Sequence, residues 1–184
     1  MTPEGRVLFE RLLGSAEVVL LPDADIEMLT LWAIDEGALR AVNDRLIVTS
    51  VSAFGATGPR QHWRGADLVA WASSGVLFGI GDPDRPPVAP GGGIASAVSA
   101  LNAVVGIVVA LRASRQRGHG QSVDISMQEA ALSVSMEVGP SYVLEGRTLD
   151  REGRKRTAAH GFFAVRDGEA GITAFLPTQW DALA

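Results

Sequence analysis

The sequence contains no cysteine, one tyrosine and three histidines among its 184 residues. Without cysteine the chain forms neither disulfides nor thiolate metal sites; this fits a reducing compartment, so we expect a cytoplasmic protein with no metal site. The formal net charge of −5 argues weakly against nucleic-acid binding. The opening residues MTPEGRVLFE carry no basic segment followed by an apolar run, so no signal peptide is expected.

Long hydrophobic runs are also scarce, and one stretch stands out. Residues 94–111 are nearly uncharged and just long enough to cross a membrane. The polar or small residues Ser96, Ser99, Asn102 and Gly106 weaken that interpretation, and a helix buried against a sheet has the same composition. We therefore expect a buried helix and no membrane partner.

Short apolar strands alternate with helices along the chain. Strands are predicted at residues 18–21, 45–52 and 122–125, where β-branched residues are frequent. This alternation indicates an α/β domain with a mostly parallel sheet. Since ligands in such sheets bind beyond the carboxyl ends of the strands, the loop at residues 53–63 is a predicted wall of a site.

Helices are predicted before, between and after these strands. Thr2 is the expected cap of the first helix and Gly14 its expected end. The other predicted helices cover residues 26–32, 36–42, 67–78, 94–115 and 126–144, the last with Ser126 as its cap. Residues 145–160 form a polar linker, residues 161–165 and 171–175 a hairpin, and a final helix begins at Thr178.

Three glycines, Gly91, Gly92 and Gly93, stand directly before the long helix. Glycine permits a sharp bend or a close approach, and a helix N-terminus offers free N–H groups to an anion. A tight loop without any ligand explains the glycines equally well. The string is a poor dinucleotide fingerprint because Ser96 replaces the third glycine, and no P-loop lysine follows.

Several strings resemble one family when they are taken together. They are LIVTSVSAFGATGP at residues 46–59, GADLVAWASSG at 65–75, GDPDRPPV at 81–88, GIVVALRASRQRGHGQSVDISMQEAAL at 106–132 and FFAVRDG at 162–168. The combination resembles the family III coenzyme A transferases, which include formyl-CoA transferase, the carnitine CoA-transferases and the α-methylacyl-CoA racemases. The resemblance runs over nearly the whole chain.

The resemblance implies a doubly wound, Rossmann-like large domain, followed by a smaller α+β domain. Residues 1–145 would be part of the large domain, 146–160 a linker, and 161–184 the start of the small domain. It further implies an acyl-CoA substrate, coenzyme A rather than a covalently bound cofactor, and a homo-oligomer, usually an interlocked dimer. Because the second domain is incomplete, we expect a piece of a longer protein, a truncated product or one half of a tandem transferase.

The resemblance also shows where the catalytic group should be. In transferases of this family an aspartate forms a mixed anhydride and then a CoA thioester. Ser96 stands in its place within GGGIAS. We expect Ser96 to cap the long helix, with a nucleophilic role as the alternative; no base for it is identified among His62, His119 and His160. Asp67 is the carboxylate nearest to this region in the pattern, with an N-cap or first-turn charge as its expected role.

The expected coenzyme A contacts are also reduced. Residues 20–39 contain no lysine or arginine, although the family's corresponding segment helps to hold CoA. Arg64 remains the candidate for a CoA phosphate, with Gly91, Gly92 and Gly93 as candidate backbone contacts; a solvated Arg64 is the simpler alternative. Ala66 occupies the racemase histidine position, so racemisation is not supported.

Two functions remain open. The long match over residues 46–132 favours an enzyme that transfers CoA between carboxylic acids. The joint loss of the aspartate, the racemase histidine and the basic segment favours a catalytically silent half that stabilises or completes an active partner. A nucleotide-binding module unrelated to CoA depends on the glycines alone and ranks far below both.

Overall fold

The computed structural model describes residues 2–21, 32, 34–148, 151 and 160–183. A three-stranded parallel sheet lies at its centre, with strand order β1 (Val18–Leu21), β2 (Ile47–Ser52) and β3 (Ser122–Ser126). In its register Val19 pairs with Val48, and Thr49 pairs with Val123. The predicted parallel sheet is confirmed, and its three strands lie close to the predicted positions.

Helices connect and cover the strands. They are α1 (Pro3–Ser15), α2 (Glu36–Val42), α3 (Asp67–Ser74) with a 3₁₀ turn at Val76–Gly79, α4 (Ile94–Arg117), α5 (Met127–Ser133), α6 (Val138–Glu145) and α7 (Pro177–Leu183). The predicted helix at residues 26–32 lies almost entirely outside the described residues. So does most of the predicted linker at 146–160, and the domain boundaries stay a prediction.

Helices cover both faces of the sheet, as a doubly wound fold requires. Val48 belongs to a buried cluster with Leu13 of α1 and Leu39 of α2. Thr49 follows Val48 and faces the other side of the sheet, since successive side chains alternate. On that side α4 lies so close that a Cβ added at Gly106 would stand 2.7 Å from Val123 Cγ1. The predicted fold class is confirmed.

The first helix begins as predicted but ends differently. Thr2 Oγ1 accepts a hydrogen bond from Gly5 N at 3.1 Å. The helix continues through Gly14 to Ser15, and the Asn43 side chain satisfies carbonyls at its end. Asn43 Nδ2 donates to Leu13 O at 3.1 Å and to Ala16 O at 2.9 Å. This side chain therefore joins the ends of α1 and α2.

The single helix predicted at residues 126–144 is wrong, because the chain forms two helices there. Ser126 caps α5 as predicted, its Oγ accepting from Glu129 N at 3.3 Å. The break between α5 and α6 lies at Ser135. Its Oγ accepts hydrogen bonds from Glu137 N at 3.3 Å and from Val138 N at 3.0 Å. A serine hydroxyl bound to nearby amides in this way starts a new helix instead of continuing the old one.

The hairpin at the end of the described chain is antiparallel, with β4 (His160–Val165) and β5 (Gly168–Thr173). Val165 pairs directly with Gly168, so Arg166 and Asp167 alone form the turn. The predicted hairpin is confirmed, but its second strand begins three residues earlier than the predicted start at Gly171 because the turn is this short.

Burial of the long helix is confirmed for one face only. Its small residues Ala95, Ser99, Ala103, Ala110 and Ser114 are buried. Its apolar residues Leu101, Val104, Val105, Val108 and Val109 are 57–66% exposed. By length and by a mean hydropathy of 2.3, α4 passes the test for a membrane span, which core helices of soluble proteins also pass; only 22% of that window is buried. We call these five exposed side chains the outer face of α4.

The outer face of α4 predicts that the chain associates or dissolves poorly when it is produced alone. Replacing Val105 and Val109 together by serine removes apolar surface at nearly equal helix propensity. In sedimentation velocity we expect the double variant to shift towards monomer. Gln116→Ser, an exposed polar change on the same helix, is the control and should leave the distribution unchanged. A stable, monodisperse monomer of the unmodified chain would contradict this prediction.

Gly120 lies two residues before β3 and has the least room for a side chain among the described glycines. A Cβ added there would overlap the carbonyl oxygen of Leu46, and Gly120 N donates to Asp44 O at 2.8 Å. Gly120→Ala should therefore lower the free energy of unfolding by about 3 kcal/mol in urea titrations. Gly79→Ala is the matched control, because an added Cβ meets nothing within 4 Å. Equal midpoints for the two variants would show that the backbone yields at Gly120.

Candidate functional site

The predicted wall of the site is tied to the carboxyl end of the sheet by Asp124. This residue lies on β3, and its Oδ1 accepts from Ser50 Oγ of β2 at 2.8 Å. Its Oδ2 accepts from Ala56 N at 2.8 Å, and Gly55 N donates to Ser52 Oγ at 2.9 Å. The loop that leaves β2 is therefore bound by two strands.

The rest of the loop is held by aromatic and close backbone contacts. The Phe54 and Trp63 rings meet edge to face at 5.9 Å between centroids, and Arg60 lies 5.3 Å from the Trp63 ring centroid. A Cβ at Gly65 would stand only 2.6 Å from Ala53 Cβ, so glycine allows the chain to return to the end of β2. Helix α3 consequently starts close to the sheet edge.

Asp67 and Ser96 meet in this region. Asp67 Oδ1 accepts hydrogen bonds from both Ser96 N, at 2.8 Å, and Ser96 Oγ, at 2.9 Å. Asp67 lies in the first turn of α3 and Ser96 in the first turn of α4. A carboxylate at two helix starts is stabilised by both sets of peptide dipoles.

The prediction that Ser96 caps the long helix is wrong. The N-cap of α4 is Gly93, which has no side chain, and Ser96 lies inside the first turn. The amide that a local cap would satisfy is instead satisfied by Asp67 from another helix. The first-turn position predicted for Asp67 is confirmed, and its bond to α4 adds a second role that the sequence pattern does not show.

The three glycines form an open turn before α4. Gly92 and Gly93 have φ values of 83° and 65°, which favour glycine, and a Cβ at Gly91 or Gly92 would meet nothing within 4 Å. The start of the helix is exposed, but its Ser96 amide already binds Asp67. Anion binding by these glycines stays a prediction, and such an anion would lie next to a carboxylate.

The other candidate residues are distributed unevenly around this point. Arg64 is exposed and lies just before α3, at the same end of the sheet; its contact with a CoA phosphate stays a prediction. His119 Nδ1 lies 3.2 Å from Gly120 O, and His160 Nδ1 lies 3.2 Å from Thr173 Oγ1. His62 is exposed in the loop after β2. Among the described contacts, the partner of Ser96 Oγ is Asp67 and not a histidine.

Two further features lie away from Ser96. A groove of about 300 Å³ lies at the amino ends of β1 and β2, where Arg115 and Glu17 form an ion pair at 3.5 Å. Within residues 2–21, 34–148 and 160–183, no group of three or more histidine, aspartate or glutamate residues could hold a metal ion. At the carboxyl end of the sheet, the described carboxylate contacts include those of Asp124 and of the pair Asp67 and Ser96.

Comparison with known proteins identifies the family. The sequence profile of CoA-transferase family III matches residues 1–184. The chain belongs to this family. It is 33% identical over 169 residues to the succinyl-CoA–L-malate CoA-transferase alpha subunit of Chloroflexus aurantiacus, covering 90% of this chain and 39% of that protein. It is 32% identical over 190 residues to the succinyl-CoA:mesaconate CoA-transferase of Haloarcula marismortui, covering 99% and 47%.

A solved structure gives the same family assignment. The crystal structure of a CaiB/BaiF family protein from Brucella suis superposes with a TM-score of 0.84 at 29% identity. The alignment covers 99% of this chain and 48% of the other. This chain therefore spans less than half the length of the family III relatives that it matches.

The sequence pattern indicates Asp67 but not its bond to Ser96, and it does not indicate Asp124. Asp124 could have been found, because it alternates with Val123 and Ile125 along β3 and so faces away from α4. The Asp67–Ser96 pair gives no periodic signal, since the two residues are 29 positions apart and meet only through the packing of two helices.

The contacts of Asp124 generate a testable prediction. Asp124→Ala removes the oxygen that accepts from Ser50 Oγ and the oxygen that accepts from Ala56 N. It should lower the free energy of unfolding by about 1–2 kcal/mol. The amide of Ala56 should also exchange faster with deuterium. In a double-mutant cycle, Ser50→Ala should cost less in the Asp124→Ala background than in the unmodified chain. Strictly additive effects would show that the Ser50–Asp124 bond contributes nothing.

Proposed function

We propose that the protein transfers coenzyme A between carboxylic acids, with acyl-CoA thioesters as substrates. The observation that supports this most strongly is membership of CoA-transferase family III over residues 1–184. Relatives of similar identity are named for transfer from succinyl-CoA to malate or mesaconate. A short dicarboxylic acid is therefore the first acceptor to test.

The arrangement at the carboxyl end of the sheet supports a thioester site there. A loop fixed by Asp124, an exposed turn of glycines and the start of a long helix lie at the edge where α/β proteins bind ligands. Arg64 supplies an exposed cation beside this edge, as contact with a CoA phosphate requires. Gly91, Gly92 and Gly93 would let the ligand approach the backbone closely.

The outer face of α4 supports a larger assembly. Its five apolar side chains are mostly exposed among the described residues, and a relative is named as the beta subunit of a succinyl-CoA–L-malate CoA-transferase. We propose that a second copy, or a partner half of a transferase, covers surface of this kind. The serine at position 96 favours the alternative role, that of a silent half that completes an active partner.

Binding is the first experiment. Calorimetric titration with coenzyme A and with succinyl-CoA should show micromolar affinity. Arg64→Ala should weaken it about tenfold, as expected for loss of one charge-assisted contact. Arg117→Ala, at the far end of α4, is the control and should leave the dissociation constant unchanged. No heat from folded protein would contradict a stand-alone CoA site and favour the silent half.

Transfer is the second readout and separates the two functions. Incubation with succinyl-CoA and labelled malate or mesaconate should give the labelled acyl-CoA. Binding without any exchange of CoA between acids would support the silent half, while exchange would exclude it.

A further inference from the structure

We propose that Asp67 carries the acyl-accepting carboxylate in this chain, at the start of α4, where the family pattern would have an aspartate at position 96. This inference depends on the proposed transfer of CoA between carboxylic acids. The observation behind it is the pair of hydrogen bonds that brings the Asp67 carboxylate to Ser96.

The two oxygens of Asp67 are in different situations. Oδ1 accepts both Ser96 N and Ser96 Oγ, which fixes the plane and position of the carboxylate. Across the described part of the chain, Oδ2 makes no hydrogen bond. An oxygen without a donor keeps its electron pairs for attack on a carbonyl carbon, while its neighbour holds the group in place. The Asp67 side chain is half-buried, so it is both positioned and accessible.

The glycine turn leaves room for a substrate beside this carboxylate. A Cβ at Gly93 would stand 3.9 Å from Asp67 Oδ1, and a Cβ at Gly91 or Gly92 would meet nothing within 4 Å. Ser96 is itself exposed. A thioester could therefore approach Asp67 over a surface that carries no side chains at three successive positions.

The serine at position 96 is compatible with a nucleophile at position 67. An ionised aspartate at 96 would only accept hydrogen bonds, so it could not donate one to Asp67. Serine instead donates a hydrogen bond from its hydroxyl to Asp67. In the first turn of α4, the backbone N–H of Ser96 donates to Asp67. Free N–H groups at a helix start can stabilise negative charge as it develops in a reaction.

The proposed steps balance without any other reactant. Asp67 Oδ2 attacks the thioester carbon, the carbon–sulfur bond breaks, and CoA thiolate leaves a mixed anhydride. The thiolate then attacks Cγ of Asp67, giving an aspartyl thioester and releasing the donor acid with the former Oδ2. The acceptor carboxylate then attacks Cγ of the aspartyl thioester, which releases CoA thiolate and forms a second mixed anhydride. The thiolate attacks the acyl carbon of the acceptor, which gives the new acyl-CoA and leaves one acceptor oxygen on Asp67.

The competing assignment makes Ser96 the nucleophile and Asp67 its base. The two assignments predict opposite results for Ser96→Ala. This variant keeps the hydrogen bond from the backbone N–H of residue 96 to Asp67 and removes only the hydroxyl. With Asp67 as nucleophile, this variant should retain transfer within about tenfold. With Ser96 as nucleophile, it should lose transfer almost completely.

The test uses Asp67→Asn, because the amide oxygen of asparagine can still accept both bonds from Ser96. We expect transfer between succinyl-CoA and a dicarboxylic acid to fall at least ~1,000-fold, with the thermal midpoint and CoA affinity nearly unchanged. An Asp67→Asn variant that transfers CoA normally would overturn the assignment but leave the proposed function intact. No transfer by the unmodified protein would overturn both.

A measurement on the unmodified protein removes any dependence on how the variant folds. Borohydride reduces an aspartyl thioester to an alcohol, and peptide mass spectrometry after incubation with succinyl-CoA should find this change at Asp67. Transfer with an ¹⁸O-labelled acceptor acid should leave label in the same side chain. Modification of Ser96, or of a carboxylate other than Asp67, would overturn the assignment even if transfer is observed.

Discussion

The site depends on one carboxylate placed at the start of two helices. Asp67 belongs to α3, yet its Oδ1 satisfies the backbone and the hydroxyl of Ser96 at the start of α4. The contact is possible because Gly65 lets the chain pass within contact distance of Ala53, which fixes where α3 begins. A side chain at Gly65 would move α3 away from the sheet and separate Asp67 from Ser96.

Much of the fold follows from local patterns in the sequence. β-Branched runs predict the strands, and their alternation with helices predicts the parallel sheet. Few arrangements of alternating strands and helices bury the apolar faces of both. Thr2 and Ser126 are predicted caps that the structure confirms. The break at Ser135 is missed, since a serine within an apolar helical pattern gives no sign of which amides its hydroxyl will bind.

The candidate site is harder to predict for a physical reason. Its residues lie far apart in the sequence and meet through packing, so no periodicity marks them. The pattern correctly places Asp67 in a first turn, but the geometry shows that its carboxylate also serves a second helix. The exposed face of α4 is hard to predict for the same reason. Composition predicts an apolar helix, but packing against the sheet determines which face of that helix is covered.

The serine at position 96 therefore has a different meaning in the structure than in the sequence. Taken alone, it removes a carboxylate from the start of α4. In the structure a carboxylate is present at that point, carried by another helix and oriented by the serine itself. An aspartate at position 96 would only accept hydrogen bonds when ionised, whereas the serine hydroxyl donates one that orients Asp67. Chemistry at this helix start depends on where the carboxylate is held, and the bonds to Ser96 hold it at position 67.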